Sequence, residues 1–305
     1  MTLSKILGFL FIIFTATILI ISYFSPFQEI QFRQKVNHNN FSLNSSILVP
    51  MQFYENMRFP SNKISYRING CPLNKKNNME DAFEIIQNQT ILEFYPVKSN
   101  EELSITCEEK NRLSEGLFIA GEGGPTNITQ TENFNVILNG QILLIKESTC
   151  QYPNIALHEL LHALGFDHSK NRNNIMYNIT NCDQTIGEDI VTLINELYSY
   201  PQYTDLAIEN VSAYMHGRYL DTTINVRNNG LKESENTTIL IYANNKIVNE
   251  IPIGTLDIGY GLSISMNNTW ISVINVKTLD FLINSNSEEL QKNNNRIRLE
   301  IDEIN

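Results

Sequence analysis

The polarity pattern changes three times along the chain. From Leu3 to Phe24 the sequence is apolar, interrupted only by Ser, Thr, Gly and one charge, Lys5. At a rise of about 1.5 Å per residue, a helix over this run is long enough to cross a hydrocarbon core of about 30 Å. A cleaved leader would have an apolar core of about 7–15 residues ending in a small-x-small site, whereas this run continues into Ile20-Ile21-Ser22-Tyr23-Phe24. The expectation is a transmembrane signal anchor over residues 1–25, with Lys5 and the terminal amine held inside and the remainder outside the cell. Residues 26–60 mix Pro, Asn, Ser and isolated aromatics without a period and read as a stalk, with a short lead-in strand as an alternative for its end.

From residue 61 periodic segments begin. Ile64 to Ile68 alternate as a half-buried strand and stop at Asn69-Gly70. Met79, Ala82, Phe83 and Ile86 share one helical face, with Asn77 or Asn78 available as a cap. Leu92–Val97 and Leu103–Cys107 read as strands. Gly116–Pro125 is glycine-rich, but no Lys-Ser/Thr follows to make a phosphate cradle, so it reads as a long connection needing positive φ angles. Two strand-like runs flank Asn139-Gly140, which predicts a hairpin there. Thr185-Ile186-Gly187-Glu188 has capping-box spacing, and Ile190, Leu193, Ile194 and Leu197 continue it as a helix ending before Pro201. This order is α+β over residues 61–202. Residues 203–305 then give short alternating runs (Thr222–Val226, Thr238–Tyr242, Arg296–Ile301) broken by Asn- and Gly-rich turns, the pattern of an all-β sandwich.

Composition narrows the partners. The net charge of −11 and the absence of any basic cluster exclude a nucleic-acid footprint. Cys71, Cys107, Cys150 and Cys182 contain no Cys-x-x-Cys pair, so outside the cell two disulfides are expected. Of the three connectivities that four cysteines allow, the layout of elements favours Cys71–Cys107 and Cys150–Cys182.

The candidate chemistry lies in His158-Glu159-Leu160-Leu161-His162-Ala163-Leu164-Gly165-Phe166-Asp167-His168, followed by Ile175-Met176-Tyr177. On a helix, His158 and His162 stand one turn apart on the same face and can reach one ion. Gly165 lets the chain leave the helix at positive φ, so that His168 can return as a third nitrogen ligand. Three nitrogens, an open fourth position and a neighbouring carboxylate, Glu159, are the requirements of one catalytic Zn2+ whose bound water is activated for hydrolysis. Asp167 reads either as a support for a ligand imidazole or as a cap of the turn, while His38 and His216 read as inert surface residues.

The pattern His158-Glu159-x-x-His162-x-x-Gly165-x-x-His168 with Met176 resembles the metzincin zinc peptidases. Within that clan, Leu164–Ser169 and Ile175–Asn178 are most similar to the matrixins, the matrix-metalloprotease-like enzymes. The resemblance covers roughly residues 61–200 and implies that His158, His162 and His168 hold zinc, Glu159 acts as general base and Met176 forms the apolar floor of the site. It implies a protein or peptide substrate cleaved outside the membrane. The Pro-Arg-Cys-Gly latency switch of the vertebrate matrixins and the loop that holds their second zinc and calcium have no counterpart here, which leaves latency and structural Ca2+ or a second Zn2+ open. From Asp205 the chain resembles CARDB-type immunoglobulin-like adhesion modules, through Asn225–Gly230 and Glu289–Asn294, which implies a surface-protein or carbohydrate partner for the sandwich. The reading is a membrane-tethered zinc endopeptidase. The alternatives are a surface adhesion or binding protein whose protease domain does not turn over, and a hydrolase acting on another amide.

Overall fold

An N-terminal helix, α1 (Leu3–Phe24), and a strand, β1 (Glu29–Gln34), precede the body that carries the histidine motif. The computed structural model describes residues 3–24, 29–34, 51–109, 112–114, 117–146 and 150–301. On α1 the apolar side chains described between Leu7 and Ile20 are largely exposed, and Thr15 and Thr17 satisfy their hydroxyls on carbonyls of their own helix. That stretch is about 21 Å long, and among the described residues no helix is long and apolar enough to cross a membrane. The expected anchor thus has its helix, without a demonstrated span.

The chain divides into two units, one comprising residues 42–204 with 229–232 and the other residues 1–41 with 205–228 and 233–305. The first is built on a six-stranded sheet of β2 (Met57–Arg58), β3 (Lys63–Asn69), β4 (Glu93–Pro96), β5 (Leu103–Cys107), β8 (Gly121–Gln130) and β9 (Asn135–Leu144). A separate ribbon joins β6 (Arg112–Ser114) to β7 (Leu117–Ile119). Strands β2, β9, β5, β3 and β4 run parallel in that order, and β8 alone is antiparallel, along β9. Helix α2 (Leu73–Gln89) buries Met79, Ala82, Phe83 and Ile86, the periodic face, with the Phe83 ring 4.3 Å from Tyr66 and 4.6 Å from Phe94. It begins ahead of the expected Asn77 or Asn78 cap because Pro72, whose preset φ suits a helix start, takes the cap position. Lys75 on this helix is buried and donates to the carbonyls of Glu108 and Ile145 at 2.6 and 2.9 Å. Helices α3 (Asn154–Ala163) and α4 (Glu188–Tyr198) complete the α+β unit.

Three local expectations are corrected. Asn139-Gly140 is not a hairpin turn: it lies inside β9, where a Cβ on Gly140 would stand 3.3 Å from Leu103 and 3.4 Å from the Ala163 carbonyl. The glycine-rich stretch is strand from Gly121, and the glycines with positive φ do not include Gly121, Gly123 or Gly124. The capping box does not form. Thr185 bridges to Asn174, and α4 starts at Glu188 behind Gly187, with Glu188 and Asp189 supplying negative charge to its first turn. The disulfides are Cys71–Cys107 and Cys150–Cys182, as the layout favoured.

Arg58 closes this unit. It is 1 % exposed, donates to the carbonyls of Phe59, Pro60, Leu197 and Tyr200, and stacks over Tyr198 at 4.5 Å. Burial lowers its pKa to about 10, so it stays charged at neutral pH and satisfies carbonyls left open at the end of α4.

Apart from α1 and a single 3-10 turn at Asn293–Asn295, the described elements of the second unit are β-strands. Its antiparallel strands are β10 (Leu206–His216), β11 (Tyr219–Asn228), β12 (Thr237–Ala243), β13 (Lys246–Gly254), β14 (Gly261–Trp270), β15 (Thr278–Asn284) and β16 (Arg296–Ile301). Ile224 and Val226 of β11 share one core with Ile239 and Ile241 of β12, as two facing halves of a sandwich do. Asn244 and Asn245, both at positive φ, make the tight turn between β12 and β13. Between the two halves, where β16 and β10 would otherwise present edges, sits β1. Glu29–Phe32 pair with His216–Ala213, Phe32–Gln34 pair with Ile301–Leu299, and Phe32 enters the core at 4 % exposure. Residues 26–60 therefore contain a sandwich strand as well as β2; residues 26–28 and 35–50 of the expected stalk lie outside the described residues.

Candidate metal centre

Helix α3 is buried along its whole length, so its two histidines project into a protein environment. His158 bonds through Nδ1 to the Ile175 carbonyl at 2.7 Å, and His162 through Nδ1 to the Phe166 carbonyl at 2.8 Å. A carbonyl only accepts, so each Nδ1 carries the proton and each Nε2 keeps its lone pair. Those two Nε2 atoms lie 3.0 Å apart, and the Nε2 of His168 lies 3.1 Å from that of His162. The lone pairs of His158 and His162, converging this closely, repel one another unless a cation stands between them. Tetrahedral zinc with bonds of about 2.0–2.1 Å would set its nitrogens about 3.3 Å apart. The donor set therefore fits a metal ion. Burial lowers the pKa of His158 to about 4 and also lowers that of His162, which keeps both imidazoles neutral and able to ligate. Among the described residues, this is the one group of three His, Cys, Asp or Glu side chains found with ligand atoms so placed.

The third histidine arrives by a helix C-terminal motif. Gly165 has φ +98°, its N–H donates to the His162 carbonyl, and the Phe166 N–H donates to the Leu161 carbonyl. That is the Schellman pair of bonds, which reverses the chain and sends residues 166–168 back past the helix. Asp167 accepts the His168 N–H at 2.7 Å, so it acts as a cap of this turn. Met176 is 1 % exposed, its N–H donates to the Asn174 side chain, and its carbonyl accepts the Ser169 N–H at 2.7 Å. The methionine turn is thereby tied to the loop carrying His168. His216 stands apart, on β10, 3.2 Å from Asp221.

Glu159 is 5 % exposed. Burial, with help from Glu122, raises its pKa to about 8, against a hydrogen bond to the Gly123 backbone. A cation held by the three imidazoles would favour the ionised form. The carboxylate is in place because β8 passes α3 with no side chains between: a Cβ on Gly121 would stand 2.7 Å from Glu159 Cγ, and one on Gly123 2.2 Å from the Glu159 carbonyl oxygen. This close contact stands where the glycine-rich run predicts a long positive-φ connection. Its signal was there, because glycines in a strand mark close backbone approach as often as a turn.

An α+β unit whose glycine-broken helix and following turn converge three imidazoles beside a buried carboxylate defines the class, a metzincin-type metal centre. The comparison with known families gives the particulars: residues 58–199 match the matrixin family and residues 203–298 the CARDB family. A region similar to the matrixins is thus followed by one similar to CARDB modules. No curated protein matches it.

Proposed function

We propose that this protein is a zinc-dependent endopeptidase that cleaves peptide bonds outside the cell membrane. The observation that carries the reading is the convergence of three imidazole Nε2 atoms, with those of His158 and His162 left unprotonated by their Nδ1–carbonyl bonds, in a unit where the adjoining Glu159 carboxyl is buried. His158, His162 and His168 would hold the ion, with Met176 beneath them. When bound, zinc supplies a Lewis acid that acidifies a water molecule and stabilises negative charge on the scissile carbonyl oxygen. Glu159 takes one proton from the attacking water as its oxygen bonds to the carbonyl carbon. It returns that proton to the amide nitrogen as the C–N bond breaks. The hydrogen bond to Gly123 fixes the carboxylate for both transfers. Among the described residues β8 has a strand neighbour on one side only, so its other edge suits an extended peptide added as a further strand.

The two disulfides support an extracytoplasmic setting. In this reading α1 anchors the chain in the membrane, and the CARDB module binds a surface protein or carbohydrate. The test is purification of the chain from Glu29 onward, measurement of bound zinc, and digestion of a mixed peptide library by the parent and by Glu159→Ala. One zinc per chain is expected, with cleavage abolished by chelation and by the substitution. Bound zinc without cleavage of any peptide would refute the enzymatic reading, and cleavage surviving Glu159→Ala would refute the assigned base.

A further inference from the structure

The segment just ahead of the matrixin match, Met51–Met57, is built into the metal centre. Gln52 and Phe166 form an antiparallel bridge, flanked by Phe53 N–H donating to the Gly165 carbonyl and Asp167 N–H donating to the Met51 carbonyl, both at 3.0 Å. This short ladder lies on Gly165, Phe166 and Asp167, three of the four residues that connect helix α3 to His168. The Gln52 amide then closes on its own chain: Nε2 donates to the Met57 carbonyl at 2.6 Å, and Oε1 accepts the Met57 N–H at 3.0 Å. The Met57 side chain fills the space over Gly165, where a Cβ would meet it at 2.6 Å. The ladder also sets the Phe166 carbonyl, which holds His162 through Nδ1.

From this frame Phe53 lays its ring on His162, with centroids 5.7 Å apart and planes 19° from parallel. Phe53 remains 39 % exposed, so burial alone does not account for a phenyl ring there. An imidazole bound to a cation is electron-poor, and the face of a phenyl ring is electron-rich; their attraction is greater when the metal is present than when it is absent. Such a contact raises metal affinity and adds little to the metal-free fold.

We infer that Phe53 is a positioning residue of the metal centre, holding the His162 imidazole in its ligating orientation through ring stacking. The inference rests on the zinc-peptidase reading. Phe53→Leu keeps the apolar bulk and removes the π face; Phe53→Trp keeps the face; Tyr54→Ala alters the exposed neighbour. The dissociation constant for zinc, measured by competition with a chromophoric chelator, is expected to rise about 2- to 10-fold in Phe53→Leu, the range for loss of one aromatic contact. It should stay within about 2-fold of the parent in Phe53→Trp and Tyr54→Ala, the scatter expected of a neutral change. The d–d spectrum of the cobalt-loaded chain should shift in Phe53→Leu alone, and the melting temperature of the metal-free chain should hold in all three. A parent that binds zinc with Phe53→Leu equal to it in affinity and spectrum overturns this inference and leaves the peptidase reading standing. A parent that binds no zinc overturns both.

Discussion

Gly123→Ala isolates what the glycines of β8 do. The added methyl carbon would sit 2.2 Å from the Glu159 carbonyl oxygen and 2.9 Å from its carbonyl carbon and Cα. All three are backbone atoms of a buried helix, so no side-chain rotation relieves the overlap. Strand and helix would have to separate by about 1 Å to restore ordinary contact in a close-packed interior. Overpacking of that kind costs about 1–3 kcal/mol. The catalytic consequence is larger, because the Gly123 backbone also bonds the Glu159 carboxylate. Displacing a reacting group by about 1 Å costs about 100-fold in rate. The neighbouring position supplies the control, since a Cβ on Gly124 meets nothing within 4 Å. Gly124→Ala should therefore keep stability within about 0.5 kcal/mol and keep full activity. Gly121→Ala is intermediate: it would press on the Glu159 side chain at 2.7 to 2.9 Å, which can swing aside, so the fold should survive while the proposed general base is displaced. Thermal melting and kcat/KM on a fluorogenic peptide for the three variants give the comparison. If Gly124→Ala proves as harmful as Gly123→Ala, backbone freedom is what matters and the close-approach argument fails. The same follows if Gly123→Ala retains parental activity.

Two further perturbations probe the framework of each unit. Arg58→Ala removes the donor from four carbonyls, including those of Leu197 and Tyr200 at the end of α4, and should destabilise the matrixin domain by about 3–5 kcal/mol in urea titrations; a loss below about 1 kcal/mol would mean that water replaces the guanidinium. On the sandwich, burial acts to raise the pKa of Asp280, but hydrogen bonds from Arg298 and Arg296 outweigh it and hold the carboxyl below its ordinary value of 3.8. A depressed folded pKa gives stability that is complete above the unfolded value and is lost as pH falls through the folded one. The sandwich should thus weaken below about pH 4, and Asp280→Asn should flatten that part of the denaturation profile; an unchanged profile would refute the assignment.

What was legible in the sequence was what is local. His158 and His162 are one helical turn apart, and Gly165 and His168 follow within a single reversal, so spacing alone specifies their convergence. The long apolar faces of α2 and α4 were legible for the same reason, although their starts were not. Pro72 preceded the expected asparagine cap, and Thr185 was taken by a bridge to Asn174. The errors lie where a residue answers to a distant partner. Gly140 looks like a turn until Leu103 and the Ala163 carbonyl occupy the place of its Cβ, and Gly123 looks like a loop until α3 is laid on it. Phe53 gave no signal, because its partner His162 is more than a hundred positions away. Strand β1 is the extreme case: Glu-Ile-Gln-Phe-Arg-Gln is short and two-thirds charged or polar, and its neighbours β10 and β16 lie far along the chain.

That strand changes how helix α1 and the matrixin-like domain are connected. With a free stalk between them, one cut in the stalk would shed the matrixin domain. With β1 paired between β16 and β10, the chain leaves the sandwich after Gln34, forms the matrixin domain, and re-enters the sandwich at Leu206. A cut between Gln34 and Met51 would then leave the peptidase covalently joined to β10, and β1 held by two ladders and by Phe32, whose burial alone is worth about 1.5–3 kcal/mol. A recognition sequence for a site-specific protease placed in that interval tests the difference. After cleavage, the N-terminal fragment and the peptidase should elute together under native conditions and separate in denaturant, with peptidase activity retained throughout. Release of the peptidase from the N-terminal fragment on cleavage, without denaturant, would show that β1 does not hold its place in the sheet.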